Sequence, residues 1–165
     1  MKLSRLVRHL LLPDWWVQRV FSRADLAAIG EAITACEKSH LGELRFVVEG
    51  PLPVPALWHD LSARSRAVEL FSSLRVWDTA DNSGILIYVQ LVDRQVEILA
   101  DRGIAARVPQ AEWDAVCRGM EASFRRGEWR RGALQAVTRA GELLASHFPA
   151  SGSNPNELPD QPLVL

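Results

Sequence analysis

The sequence is poor in cysteine, which excludes the classes of protein that depend on clustered thiols. Only Cys36 and Cys117 occur among the 165 residues, and they lie far apart in the chain. Neither belongs to a Cys-x-x-Cys pair or a cysteine–histidine cluster, so no ligand set for a structural zinc ion is present. Because both lie on apolar faces of predicted helices, we interpret them as reduced core residues rather than as a disulfide or a metal site.

Excess charge of one sign and long hydrophobic runs are also missing. The 19 basic and 20 acidic residues leave a formal net charge of −1. The chain as a whole therefore lacks the charge of a nucleic-acid binder, and we predict no nucleic-acid partner. No apolar stretch approaches the length that spans a bilayer. The hydrophobic content of 48% is typical of a globular protein, and the length is sufficient for one domain with a sizeable core.

The amino-terminal segment, residues 1–21, mixes basic, leucine and tryptophan residues. Its apolar patch is interrupted by Pro13 and Asp14, and no small-residue cleavage site follows, so it does not fit a signal peptide. We therefore expect the protein to be cytoplasmic. The segment is predicted to be a short amphipathic piece docked on the domain. The alternative is that it lies on a membrane surface, which would make the protein peripheral to the inner membrane.

The hydrophobic pattern predicts an α/β domain over residues 22–149. Helical spacing occurs in "SRADLAAIGEAITACEKSHLG", in "DLSARSRAVELFSSLRVW" and on either side of "RRGEWRRG", and strands are predicted in "ELRFVVEG", "ILIYVQLV" and "VEILAD". The first two strands should be parallel and the third antiparallel to the second. The expected fold is a small mixed sheet with helices on both faces. Residues 150–165, rich in proline and polar residues, are predicted to be a disordered tail.

Acidic residues should gather at one edge of this sheet, because parallel strands begin at the same edge and an antiparallel strand ends there. The predicted metal ligands are Glu43, Asp78, Asp81 and Asp101, and the neutral neighbours at the rim are Thr79, Asn82, Ser83 and Gly103. Asp93 lies on the hairpin at the opposite end.

A rim of carboxylates repels itself unless a positive charge lies within it. Ca²⁺ suits such a site because it accepts several oxygen ligands in flexible geometry, and Mg²⁺ would keep more of its waters. Either ion is therefore a candidate cofactor. The alternative is that each acid has a local role: Asp78 or Asp81 caps a turn, Glu43 pairs with Arg45, and Asp101 caps the turn that follows it or pairs with Arg102.

The same residues carry a resemblance to a known family. The segments "GELRFVVEG", "RAVELFSSLRVWDTADNSGILIYVQLVDRQVEILADRGIAARV" and "GALQAVTRAGELLASHFP" resemble the TPM-domain family, over about Ala24 to Pro149. Its members include bacterial envelope proteins and thylakoid-lumen proteins linked to photosystem II repair. The resemblance implies a three-layer α/β/α sandwich, divalent-cation binding, an envelope- or stress-related role and, from plant members, an acid phosphatase activity.

Several rim positions match the family's motifs. Glu43 matches its "GE", Asp78 and Thr79 its "DT", and Asp101 with Gly103 its "DRG". Gly84 also matches, but Ser83 stands where asparagine is usual. Many members carry a signal peptide and a carboxy-terminal membrane anchor. This sequence shows neither and resembles the short, soluble bacterial type.

Catalytic motifs are incomplete. The sequence has no Cys-x5-Arg loop, no Gly-x-Ser-x-Gly elbow and no phosphate-binding glycine loop. A metal-activated water at the acidic rim, with Arg102 as a phosphate contact, is the remaining route to a phosphatase. His40 is the one histidine expected near the rim, and the other three are interpreted as surface or cap residues: His9, His59 and His147. We predict a non-catalytic cation-binding or protein-interaction domain, with a metal-dependent acid phosphatase as the alternative.

Partners are predicted only by class. Four tryptophans lie off the predicted core stripes: Trp15, Trp16, Trp58 and Trp129. Exposed tryptophans can anchor a protein interface, although local packing explains them equally well. The basic run from Arg125 to Arg131 would suit phosphate, anionic lipid or an acidic protein surface, and its simpler explanation is a solvated pair of helix ends. An unidentified protein partner therefore remains one expectation.

Overall fold

The computed structural model describes residues 3–13, 15–150 and 156–165. Within these ranges the chain forms eight helices and four strands. The helices are α1 Leu3–Leu11, α2 Trp15–Val20, α3 Arg23–Glu37, α4 Val54–Trp58, α5 Ala63–Ser73, α6 Arg102–Ala105, α7 Gln110–Arg125 and α8 Trp129–His147. The strands are β1 Glu43–Glu49, β2 Gly84–Gln90, β3 Gln95–Ala100 and β4 Leu163–Val164. The predicted α/β class is confirmed.

The sheet is open and mixed, with the strand order β3-β2-β1-β4. β1 and β2 are parallel, in a register that starts with Glu43 opposite Gly84. β3 is antiparallel to β2, and Ala100 at its end lies opposite Ile85. Both strand pairings predicted from the sequence are therefore present.

Helices cover both faces of the sheet. All seven residues of β1 and all seven of β2 are buried, as expected for strands enclosed on both sides. One face packs Phe46 and Ile87 against a large core that includes Trp113. The other face packs Val47 and Tyr88 against a smaller core centred on α5. The large core holds residues of α3, α7 and α8, so the three layers are helices, sheet and helices.

The first long helix begins where the sequence predicts. Ser22 and Asp25 form a capping box, in which Ser22 Oγ accepts from the Asp25 N–H at 3.2 Å and Asp25 Oδ2 accepts from the Ser22 N–H at 3.0 Å. The helix ends earlier than expected, at Glu37. Gly42, the last residue of the segment predicted to be helical, lies beyond the helix and packs closely on Leu144, whose side chain would lie 2.7 Å from an added Cβ.

The carboxy-terminal segment, which we define as residues 156–165, differs from the predicted disordered tail. β4 pairs in parallel with β1, with Val47 opposite Leu163, and Leu158 is buried in the smaller core. Arg45 fixes the path of the segment, because its Nη1 donates to the carbonyl oxygens of Pro159 at 2.6 Å and Gln161 at 2.7 Å. The hydrophobic pattern of this proline-containing segment does not predict a strand, because β4 forms only by pairing with β1, which is distant in the chain.

Candidate functional site

The backbone of three segments meets at the edge of the sheet where β1 and β2 begin. The Glu43 N–H donates to the Ser83 carbonyl at 3.0 Å, and the Asp101 N–H donates to the Gly84 carbonyl at 2.9 Å. The Gly103 N–H donates to the Asn82 carbonyl at 3.1 Å. The strand directions predicted from the sequence thus bring the segments of the acidic rim together.

Glu43 is almost fully buried and holds the carboxy-terminal segment. Its Oε2 accepts from the backbone N–H groups of Glu157 at 3.2 Å and Leu158 at 3.0 Å. Burial raises the pKa of the Glu43 carboxyl. Its other oxygen, Oε1, is buried and has no hydrogen-bond partner among the residues that the structure describes. The local alternative of a Glu43–Arg45 pair is not what forms, since both side chains bind the carboxy-terminal segment.

Asp101 caps the short helix α6. Its Oδ1 accepts from the Arg102 N–H at 2.7 Å, in the way that N-cap residues satisfy a helix terminus. The residue is buried, with 6% of its surface exposed. Its Oδ2 lies inside the protein and, within residues 3–13, 15–150 and 156–165, finds no hydrogen-bond donor.

The two other acids of the rim are exposed. Asp78 lies in the loop before β2, with its Oδ2 at 3.9 Å from Arg75 Nη1. Asp81 lines an open cavity at the rim together with Gly103, Arg107 and His147. Both side chains therefore face solvent, whereas those of Glu43 and Asp101 do not.

The neutral rim residues shape the loop between Val76 and Gly84. Thr79 Oγ1 accepts from the Ser83 N–H at 2.9 Å, and Ser83 Oγ donates to the Leu41 carbonyl at 3.0 Å. Asn82 takes a left-handed conformation with φ of 51°. An added Cβ on Gly103 would lie 2.5 Å from the Asp81 carbonyl oxygen, so glycine allows the closest approach of the two loops.

The metal prediction rests on carboxylates that the structure places only partly together. No group of three or more histidine, cysteine, aspartate or glutamate side chains is arranged to hold a metal in the part of the chain that the structure describes. Arg102, the predicted phosphate contact, is exposed beside Asp101. His40 is buried near the rim, where burial lowers its pKa.

Of the other three histidines, one is buried against expectation and two lie at the ends of helices. His9 was interpreted as a surface or cap residue but is buried, and burial lowers its pKa. It accepts a hydrogen bond from the Leu52 N–H at 2.9 Å, a contact between segments that periodicity does not show. His59 is the C-cap of α4, as expected, and His147 is the last residue of α8, before the C-cap Phe148, where it lines the open cavity with Asp81.

A buried polar cluster on the α5 side of the sheet was not predicted. Arg66 Nη2 donates to Glu49 Oε1 at 2.7 Å, and the Tyr88 hydroxyl donates to Glu49 Oε2 at 2.6 Å. Burial, followed by the Glu49 carboxylate, raises the pKa of Tyr88. The signal in the sequence is Glu49, a charged residue that directly follows the apolar run Phe46, Val47 and Val48 of a buried strand.

Some of the four tryptophans are packed and others are exposed, and the basic run forms ion pairs. Trp129 packs on Phe124, with ring centroids 4.7 Å apart, and contributes to the large core. Trp15 and Trp58 are exposed. The basic run is largely paired with acids, since Arg126 and Arg131 lie 2.9 and 3.6 Å from Glu128.

The fold and the rim motifs define a family. The profile of the TPM domain matches residues 17–143, and the chain belongs to this family. The resemblance seen in the sequence is therefore confirmed. The matched range begins after α1 and ends before the carboxy-terminal segment.

Two solved structures show the same fold. The NMR structure of the BA42 protein from the psychrophilic bacterium Bizionia argentinensis is similar with a TM-score of 0.77 and 28% identity, over 88% of this chain and 95% of that one. The solution NMR structure of the N-terminal domain of a P. gingivalis protein is similar with a TM-score of 0.63 and 18% identity, over 85% of this chain and 94% of that one. A search of curated proteins found no significant match.

Proposed function

We propose that this protein is a non-catalytic binding domain whose acidic rim takes a divalent cation, Ca²⁺ or Mg²⁺. The observation that carries the proposal is the buried Oδ2 of Asp101, which has no hydrogen-bond donor within the described ranges. A buried carboxylate oxygen without a partner is costly, and a cation beside it would remove that cost.

The surroundings supply further oxygen ligands. Glu43 Oε1 is buried and also lacks a partner in the described part of the chain, and Asp81 lies in the open cavity beside Gly103. The carbonyl oxygens of Asp81 and Asn82 lie beside Gly103, two residues after Asp101, and that of Asn82 already accepts the Gly103 N–H. Carboxylates, carbonyls and water are the ligands that Ca²⁺ and Mg²⁺ prefer, so few carboxylates are sufficient when carbonyls and water complete the shell.

The candidate nucleophiles favour binding over catalysis. Burial raises the pKa of Cys36 to about 12 and that of Cys117 to about 12. Both thiols therefore stay protonated near neutral pH, and a thiol is a poor nucleophile compared with a thiolate. A phosphatase would therefore depend on a cation-activated water. This alternative function also requires a bound cation, so a test of cation binding bears on both functions.

The test is a titration of chelator-treated protein with Ca²⁺ and, separately, Mg²⁺, followed by its melting temperature. Binding to the folded state should raise the unfolding free energy by about 2.7 kcal/mol when free cation is about a hundredfold above its dissociation constant. Asp101→Asn should remove the response, because asparagine still caps α6 but supplies no negative charge. Asp114→Asn is the matched control, since that carboxylate is exposed on α7 and should leave the response intact.

The outcomes separate the candidate functions. A saturable shift that Asp101→Asn abolishes, without hydrolysis of a model phosphate ester, supports a cation-binding domain. Hydrolysis that needs the cation and is lost in Asp101→Asn would support the phosphatase alternative. No shift at millimolar concentrations of either ion, or an equal shift in Asp101→Asn, would overturn the proposal.

A further inference from the structure

Helix α1 turns its polar side toward the domain. His9 Nδ1 accepts from the Leu52 N–H at 2.9 Å, and His9 Nε2 lies 3.3 Å from Asp93 Oδ1. Arg5 Nε donates to Asp93 Oδ2 at 2.8 Å, and Arg5 Nη2 donates to the Leu61 carbonyl at 2.7 Å. Two polar side chains, one helical turn apart, thus fasten α1 to the hairpin between β2 and β3.

The apolar side of α1 faces solvent. Its members recur at a spacing of three or four residues and form one continuous stripe, which we call the α1 stripe. They are Leu3, Val7, Leu10 and Leu11, with 72%, 45%, 60% and 76% of their surfaces exposed. A helix on a globular domain normally shows the reverse arrangement, with the apolar stripe buried and the polar side in water. The α1 stripe is therefore directed at something other than the domain core.

The composition of α1 and of α2, which follows it in the chain, indicates the kind of surface that the stripe contacts. The sequences of α1 and α2 contain no aspartate or glutamate, and two of their arginines, Arg8 and Arg19, are exposed, whereas Arg5 is paired with Asp60 and Asp93. The Arg8 side chain is 57% exposed and lies 4.0 Å from Asp93, so most of its charge remains open to a partner. Trp15, at the start of α2, is 60% exposed. Leucine, tryptophan and arginine without acids are the composition of helices that lie in the interface of an anionic membrane.

We propose that α1 is a membrane-contact helix, which places its stripe at the boundary between headgroups and acyl chains of an anionic lipid surface. None of the helices among the described residues is long and apolar enough to cross a bilayer. A second copy of the chain is the weaker candidate, because a stable dimer buries roughly 800 Å² on each partner and a nine-residue helix with four apolar side chains offers much less. A lipid surface requires no complementary shape, and its negative charge suits the exposed side chains of Arg8 and Arg19.

The experiment is cosedimentation of the full chain with vesicles of phosphatidylcholine and phosphatidylglycerol in equal parts. The wild-type protein should bind, and added salt should weaken the binding because Arg8 and its neighbours act through screened charge. The double variant Leu10→Ser/Leu11→Ser should bind at least about tenfold more weakly, since the stripe loses two of its four side chains, at its carboxy-terminal end. Both positions are exposed, so the variant should keep the wild-type circular dichroism spectrum and melting temperature.

The control is Val68→Ser, which removes an apolar side chain that is 53% exposed on α5 and is not part of the α1 stripe, and it should leave vesicle binding unchanged. Vesicles of phosphatidylcholine alone should bind weakly. Equal binding by the double variant, binding that does not depend on salt, or no binding at all would overturn the proposal. So would a wild-type dimer in sedimentation equilibrium that Leu10→Ser/Leu11→Ser converts to a monomer, because the stripe would then belong to a second copy.

Discussion

At the scale of single residues, Gly84 occupies the tightest position of the rim. An added Cβ there would lie 1.8 Å from the carbonyl oxygen of Val76, a backbone atom that the preceding loop holds in place. We expect Gly84→Ala to lower the free energy of unfolding by about 3 kcal/mol or more, because the start of β2 must move away from that loop. Urea denaturation followed by circular dichroism measures the change.

Gly119 provides the matched comparison for the same substitution. It lies in the middle of α7, is exposed, and has nothing within 4 Å of an added Cβ. Gly119→Ala should therefore stabilise the protein by about 0.5–1 kcal/mol through helix propensity alone. Similar effects of the two substitutions would contradict the assignment of Gly84 as a position that requires close backbone approach.

The buried cluster of Glu49, Arg66 and Tyr88 sets a second expectation at this scale. Arg66→Met leaves the Glu49 carboxylate buried without its ion-pair partner and should cost about 3–5 kcal/mol. Tyr88→Phe removes one hydrogen bond to the same carboxylate and should cost about 1–2 kcal/mol. A double-mutant cycle by urea denaturation measures the coupling between Arg66 and Glu49. Adding Glu49→Leu to Arg66→Met should recover part of the lost unfolding free energy, because the unpaired carboxylate is then gone. A smaller loss of unfolding free energy for Arg66→Met than for Tyr88→Phe would contradict the prediction that Arg66 is the main partner of the buried Glu49 carboxylate.

At the scale of elements, the carboxy-terminal segment acts as a ligand of β1 in the same chain. Deleting residues 156–165 should lower the free energy of unfolding by about 2 kcal/mol from the lost burial of Leu158 alone. The deletion also removes the two N–H donors of Glu43 and leaves the edge of β1 unpaired. The melting temperature of the truncated protein, compared with that of the full chain, measures the loss.

A synthetic peptide with the sequence of residues 156–165 supplies the specific control for that deletion. It should restore part of the melting temperature when added to the truncated protein, because β4 and Leu158 can return to their positions. The same peptide carrying Leu158→Asp should not, since a carboxylate would enter the smaller core. Equal rescue by both peptides would show that the segment contributes no specific contact.

The elements also show what pattern analysis can and cannot predict. β1, β2 and their parallel pairing follow from apolar runs interrupted by turn residues, so the location of the rim is predictable. The orientation of α1 is not, because its amphipathic pattern alone favours burial of Leu3 and Leu10, whereas contacts of Arg5 and His9 with a distant hairpin decide the outcome. The sequence likewise shows that Glu43 and Asp101 lie at one edge, but not that backbone groups of the carboxy-terminal segment bind one of them.

At the scale of the whole molecule, Glu37 makes stability depend on pH. Glu37 is buried, and its Oε1 accepts from the Leu44 N–H at 2.8 Å. Burial raises its pKa from 4.5 to about 8, and the negative charges of Glu43 and Asp160 act in the same direction. Between these two values the folded protein holds a proton that the unfolded chain has lost. The contribution to stability is therefore fully present below about pH 4.5 and disappears as the pH rises through about 8.

Glu37→Gln isolates this contribution, because glutamine can still accept the Leu44 N–H but does not titrate. His9 and His40 have pKa values lowered by burial, so they make stability rise with pH, but only up to about their ordinary value of 6.5. Above that value, the wild type should lose about 1 kcal/mol or more relative to Glu37→Gln by pH 9, since each unit of pKa shift corresponds to about 1.4 kcal/mol. Urea denaturation of both proteins at several pH values measures the difference. A difference that stays constant with pH, or that grows in favour of the wild type, would mean that Glu37 is ionised in the folded protein at neutral pH.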